Sequence, residues 1–298
     1  SGPDRRAPHA RGGSLDSSLL CEGTGKHSPS AESIPGPHSV SRRPLPSLLR
    51  DFLCGLAGFS RMLSPVTSMQ ATTEKTSDGF VVRFPGFDEI RLRKFSIDED
   101  IPLIHDWVNR DYAKFWGLRG KSLAEVRYSY EEALARPGHH IYMGILGSTG
   151  ECIFQAEVYD PRHDLVGNYY RVRNGDVGTH LMMGPPSRKK LSELTHYVFW
   201  TLNAFVFSDA TALRIVGEPD VANIKVQSRA LQAGYRPCKV IYLPYKTAQL
   251  NFLTREYFER IDPLAPPPRP ELRWRPVKVK FHILLGRALR KFRLVPIN

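Results

Sequence analysis

Two apolar runs of strand length, residues 141–146 (IYMGIL) and 152–159 (CIFQAEVY), flank the turn Gly147-Ser148-Thr149-Gly150. Runs that short and that apolar pair with neighbours, and a glycine-bounded turn returns the second against the first as an antiparallel hairpin. A chain with a hairpin at its centre has to extend that sheet on both sides. Upstream, residues 89–95 (EIRLRKF) alternate apolar and charged positions, as a half-buried strand does. Ser96 or Asp98 then caps a helix whose apolar positions are Ile101, Ile104, Trp107 and Val108, and Ser122 caps a second helix, 123–135, stopped by Arg136-Pro137-Gly138. Downstream come a strand at 176–183, a long apolar helix at 191–207, a buried strand at 213–217, a helix at 222–233 ended by Gly234, and a hairpin of 237–243 with 247–253. The order is β-α-α-β-β-β-α-β-α-β-β. Hairpins first and two crossover helices later make an α/β (α+β) domain with a mixed, mostly antiparallel central sheet flanked by helices, not a doubly wound parallel sheet.

Three segments follow from this reading. Residues 1–78 form a Ser-, Gly- and Pro-rich extension of disordered composition, 79–260 the folded domain, and 261–298 a proline-rich spacer with a basic amphipathic helix. Within the extension, residues 48–63 have the pattern of a short amphipathic helix. The preceding SRRPLP is similar to a twin-arginine signal, but Arg50 and Asp51 interrupt the apolar stretch, so no export signal is expected. The formal charge of +12 is concentrated at the C-terminal end, where residues 269–298 carry nine Lys/Arg and one Glu. The folded body between is close to neutral, which argues against a domain built around nucleic acid. The four cysteines show no CxxC pair and the histidines lack ligand spacing, so neither a disulfide scaffold nor a metal site is expected. No uncharged apolar run reaches bilayer length, and a cytoplasmic protein is the expectation. In the last segment Phe281, Leu284, Leu285, Ala288, Leu289 and Phe292 share a helical face. This face is expected to dock on the domain or on a second copy of the chain, which allows a homodimer; attachment to an anionic membrane surface is the sharper alternative.

Three stretches carry the chemistry. They are His105-Asp106-Trp107-Val108-Asn109 with Phe115-Trp116-Gly117; Gly175-Asp176-Val177-Gly178-Thr179-His180; and Gly217-Glu218-Pro219-Asp220 with Asn223, before Ala233-Gly234-Tyr235. Together they resemble the GNAT-fold acyltransferases of hydroxamate siderophore biosynthesis, the aerobactin, alcaligin and mycobactin group, over residues 89–255. The form HDWVNRDYAKFWG looks closest to the subgroup acting on N-hydroxylated diamines. The resemblance implies an acyl-CoA N-acyltransferase fold, with succinyl-CoA or acetyl-CoA as co-substrate and an N-hydroxylated diamine or N-hydroxylysine as acceptor. It also implies a functional link to an amine N-hydroxylase and a siderophore synthetase. It carries the family's catalytic histidine to His180 and its catalytic aspartate to Asp220.

The residues support a site of this kind on physical grounds as well. A helix N-terminus attracts phosphate, and Arg188, Lys189 and Lys190 place three cations at one, although residues 184–192 (GPPSRKKLS) lack the glycines of the general GNAT phosphate loop. Leu181, Met183 and Gly184 before that start, and Asn223 beyond it, complete the expected acyl-CoA contacts. A neutral His180 imidazole can accept the proton of an attacking nitrogen. Asp220 can orient it, hold the acceptor, or cap the following helix. Trp116 is expected along the acceptor's methylene chain, with His105, Asp106, Glu157 and Asp160 as candidates for its polar end. Two other functions share parts of the pattern: an aminoglycoside-type N-acetyltransferase, and a non-catalytic GNAT-like binding module.

Overall fold

The structure is a computed structural model that describes residues 70–77, 79–186, 193–266, 276–292 and 294–295. Among these residues nine strands form one mixed sheet in the order β1-β2-β3-β4-β5-β6-β7-β9-β8. The strands are β1 (Thr72–Thr76), β2 (Gly79–Arg83), β3 (Glu89–Lys94), β4 (His140–Leu146), β5 (Cys152–Tyr159), β6 (Asp176–Met183), β7 (Arg214–Gly217), β8 (Arg236–Tyr242) and β9 (Thr247–Thr254). Neighbours are antiparallel throughout except β6 and β7, which the crossover between them makes parallel. The helices are α1 (Ile97–Val108), α2 (Leu123–Ala135), α3 (Leu194–Phe207), α4 (Ile224–Gln232), the single turn α5 (Arg255–Phe258) and α6 (Pro276–Lys291).

The expected elements are present, with differences at their edges. Ser96, not Asp98, caps α1, accepting from the Glu99 N–H, and Ser122 with Glu125 closes a capping box on α2. The sheet starts two strands earlier than expected: β2 lies within the expected folded domain but was not among its expected strands, and β1 precedes it. β1 falls inside the segment assigned to the disordered extension and pairs along its whole length with β2. All five of its residues are exposed, so no apolar alternation marks it. The expected elements at 48–63 and 187–192, and the 267–275 part of the spacer, lie outside the described residues.

Strand alternation sends alternate residues to opposite faces. On one face Ile90, Leu92, Phe154 and Ala156 pack under α3, through Val198, Phe199 and Leu202, and under Ala230 and Ala233 of the α4 region. On the other, Ile141, Met143 and Met182 pack under α1 and α2, through Ile104, Trp107, Val126 and Tyr130. Helices on both faces leave the sheet little freedom to flatten, and its central strands are pinned by charge as well. Arg214 on β7 donates two bonds of 2.7 Å to the Asp176 carboxylate at the start of β6, while its guanidinium lies 4.2 Å from the Phe252 ring.

That pair holds the parallel junction together, and the Asp176 side chain is only 1% exposed. Arg214→Met leaves the carboxylate buried without its partner. The expected loss is about 3–5 kcal/mol of unfolding free energy, measured by urea denaturation.

Candidate active site

β6 and β7 are joined at only three residue pairs, ending at Gly178 with Val216. Beyond that point β6 runs on to Met183 without a strand on this side, and β7 ends at Gly217. A cavity of about 890 Å³ occupies the opening, within the range of small-molecule sites. It is bounded by Trp116 and Tyr112 on one side, by Phe199 and Leu202 of α3 on another, and by the start of α4.

The local sequence explains why a histidine stands at its centre. Gly175, at φ +81°, makes the turn into β6, and Asp176 takes the Arg214 pair. Gly178 leaves room for the Tyr159 ring, since a Cβ there would stand 2.1 Å from it. His180 then falls on the same face as Gly178, opposite Glu157 in the β5–β6 register. Its Nδ1 is 2.8 Å from Glu157 Oε2 and its Nε2 is 2.7 Å from Glu218 Oε1. Lys246 Nζ donates to the same Glu218 oxygen at 3.1 Å, and the Tyr159 hydroxyl donates to Glu218 Oε2 at 3.2 Å. His139 stacks on Tyr159 and brings Nε2 to 3.4 Å from Glu157. Trp116 stands edge-on to the imidazole at 6.3 Å between ring centres.

The electrostatics follow from that arrangement. Burial disfavours a charged imidazole, but the Glu218 and Glu157 carboxylates outweigh it and push His180 up to about 10. Burial also disfavours charge on the two carboxylates. Even so, His139 and His180 hold Glu157, and Lys246 and His180 hold Glu218, well below the usual carboxylate range. The neutral imidazole expected from the sequence is therefore replaced by an imidazolium fixed between two anions. The two carboxylates thus favour the charged form of the imidazole over the neutral one.

The other expected site residues divide. Leu181, Met183, Asp220 and Asn223 line the cavity with Trp116 and His180. Asp220 Oδ1 accepts from the Ala222 N–H at 2.7 Å in the loop before α4, but Asn223, not Asp220, caps that helix, so the helix-capping role weighed for Asp220 falls to Asn223; no described group engages Asp220 Oδ2. Glu157 reaches the site as the partner of His180. Gly184 does not line the cavity; its N–H donates to the Ile153 carbonyl, and a Cβ there would meet the Trp107 ring at 2.8 Å. His105 and Asp106 are also displaced from the expected site. His105 Nε2 contacts the Lys121 carbonyl, and Asp106, exposed, pairs with Arg110. Asp160 belongs to a separate depression, where it caps a short turn through Arg162. Arg188, Lys189 and Lys190 lie outside the described residues.

Sequence reasoning placed Glu218 within the third stretch but gave it no role, and it did not single out Tyr159 or Lys246. Glu218 was legible as a carboxylate one residue past the apolar pair Ile215-Val216, after Gly217, a position that burial penalises unless a cation waits there. Lys246, in the β8–β9 turn, gives no such signal. Among the described residues no group of three or more His, Cys, Asp or Glu is arranged to hold a metal ion.

Residues 96–243 match the acetyltransferase (GNAT) domain family. The chain is 25% identical over 170 residues, 56% of its length, to an N-hydroxyputrescine acetyltransferase of Acinetobacter baumannii, of which the match spans 78%. It is 26% identical over 175 residues to the N(5)-hydroxyornithine:cis-anhydromevalonyl coenzyme A-N(5)-transacylase of Beauveria bassiana, but this spans only 36% of that enzyme. Among solved structures, an uncharacterized protein from Bacillus halodurans superposes with a TM-score of 0.54 at 22% identity, covering 64% of this chain and 94% of that one. The aminoglycoside acetyltransferase AAC(6')-Ib in complex with coenzyme A superposes with a TM-score of 0.51 at 24% identity, covering 57% and 98%.

Two outcomes test the electrostatics. The His180 imidazole stays charged through pH 8 in histidine-selective NMR titration, and Glu218→Gln lowers its midpoint by at least about one unit, since an opposite charge in contact is worth that much or more. The pair's contribution to stability is complete below the ordinary histidine value of about 6.5 and lost as pH rises through about 10, whereas that of the carboxylates is lost as pH falls below about 4.3. Thermal melts across pH check both limbs. Separately, Gly178→Ala displaces the Tyr159 ring and with it the Glu218 anchor; a misplacement of about 1 Å costs up to about 100-fold in kcat/KM.

Proposed function

From the premise that this chain carries a GNAT acetyltransferase domain and is an acyl-CoA N-acyltransferase, we propose that it acylates an N-hydroxylated diamine or N-hydroxylysine to a hydroxamate, in siderophore biosynthesis. The observation that carries this reading is the charge of the cavity wall. Among the described lining residues only Glu218 and Asp220 are acidic, and Glu218 is already committed to His180 and Lys246. His180 and Lys246 are offset by Glu157 and Glu218, which leaves Lys225 and Arg229 on the wall against Asp220. A polycationic aminosugar would meet more cations than anions there. An acceptor with a neutral nucleophile and at most one ammonium has a place, as do the phosphates of an acyl-CoA. The names of the two curated relatives point to the same class of acceptor.

The groups on the wall suit the reaction. The edge of β6 beyond Gly178 offers backbone groups to the amides of a pantetheine arm, with Leu181 and Met183 as its apolar floor. Lys225 and Arg229 on α4 supply charge for phosphates. An N-alkylhydroxylamine arrives neutral, unlike an amine of lysine type, whose pKa is about 10.4. As its nitrogen forms a bond to the thioester carbon, its proton passes to the open oxygen of Asp220. The oxyanion gathers near the His180 imidazolium. The C–S bond then breaks and CoA leaves as a thiolate that takes its proton from solvent. Trp116 and Tyr112 line the methylene chain of the acceptor.

Thiol release measured with acetyl-CoA or succinyl-CoA tests the acceptor. Turnover is expected with N-hydroxyputrescine, N-hydroxycadaverine or N-hydroxylysine, and its absence with all three beside turnover of kanamycin overturns the proposal. With the hydroxylated acceptor kcat/KM is flat from about pH 7 to about pH 9; with the parent diamine it rises about tenfold per unit, because only the free amine attacks. Asp220→Asn keeps the oxygen that caps the loop and lowers kcat/KM by about 10–100-fold with an unchanged melting temperature. Asp220→Ala lowers both.

A further inference from the structure

The C-terminal helix α6 docks differently from what its apolar pattern suggests. It lies against β8 and β9 at the edge of the sheet, with Val279 and Gly286 buried. The approach is close enough that a Cβ on Gly286 would meet Thr247 Oγ1. Tyr242 and His282 Nδ1 are 2.8 Å apart, and Arg290 donates to the Leu243 carbonyl and to Thr247 Oγ1 at 3.3 Å. The face expected to be the docking face points away: Phe281 is 59% exposed, Leu284 63% and Phe292 66%.

At 100° per residue, Leu284, Ala288, Phe281, Phe292 and Leu285 form one continuous outward stripe. Lys280, Arg287 and Lys291 border it on one side and Lys278 on the other, and the helix contains no acidic residue. A helix whose inner face is satisfied by the sheet has no folding reason to carry two phenylalanines on its outer face. We infer that α6 is a membrane-docking helix, which seats its Phe281–Leu284–Phe292 stripe in an anionic lipid surface with the flanking cations among the headgroups. The charge argues for this occupant. A second copy of the chain would bring two bordered rows of Lys/Arg face to face. The stripe is also a convex ridge with no groove of its own. A fluid lipid surface conforms to such a ridge, while a folded partner would need a matching cleft. Cations level with the apolar edge are how interfacial helices meet phosphate headgroups. A single helix of this kind by itself gives reversible, salt-sensitive attachment.

The test is co-sedimentation of the full chain with vesicles of phosphatidylcholine containing about one third phosphatidylglycerol, against pure phosphatidylcholine. The wild type is expected to sediment with the anionic vesicles and to release as salt is raised. The exposed double variant Phe281→Ser/Phe292→Ser, and separately Lys280→Glu/Arg287→Glu/Lys291→Glu, are expected to lose at least about tenfold in apparent affinity. Both keep wild-type melting temperature and acyl transfer without vesicles, because these side chains stand on the exposed side of α6. No sedimentation of the wild type, or equal sedimentation of the variants, overturns the inference. So does a wild-type dimer in sedimentation equilibrium that the serine pair converts to a monomer.

Discussion

β6 and β7 run side by side for three residue pairs and then separate, and this parting organises the molecule. A continuous sheet would have closed the gap with hydrogen bonds and left no room for a ligand between its layers. The junction can be short because it is strong where it exists: Arg214 clamps Asp176 at one end, and neighbouring strands pair antiparallel on either side. Past the junction the chain places cavity-lining side chains on β6, at the end of β7 and at the start of α4, so one opening collects groups from three elements distant in sequence.

Charge then fixes the interior of that opening. A buried histidine alone would be neutral, and a buried carboxylate alone would be protonated or expelled. Here two carboxylates from different strands close on one imidazole, with Lys246 completing the balance, so each group stays charged because the others are present. The result is a preorganised cation beside the cavity, which needs no reorganisation when negative charge develops on a bound carbonyl. It also relieves Asp220 of any duty towards His180. Asp220 divides its two oxygens between the loop before α4 and the open cavity.

The C-terminal helix makes the complementary point about amphipathicity. Periodicity identified its apolar stripe but left open whether the stripe faces the domain or outward; it faces outward. A docking face needs close approach more than it needs large apolar side chains. Gly286 and Val279 allow that approach to β8 and β9, while the bulkier stripe faces outward between its cations.

The sequence determined most of the element order by itself. Alternation in 89–95, the caps at Ser96 and Ser122, and the glycine-bounded hairpin are short-range signals, and local hydrogen bonding and period suffice to read them. The exposed strand β1 escaped because an edge strand with no buried face has no pattern, although the Asp78-Gly79 dipeptide is a hairpin signal. Within the site, the Gly-Asp-x-Gly-x-His run was legible as a unit, since each of its residues serves the local geometry of β6. Which carboxylate partners His180, whether the imidazole is charged, and that His105, Asp106 and Asp160 stand apart from the cavity were decided only in three dimensions. These depend on strand register and on where β6 and β7 separate, and long-range pairing brings together Glu157, His180, Glu218 and Lys246, residues whose separation along the chain carries no trace of their contact.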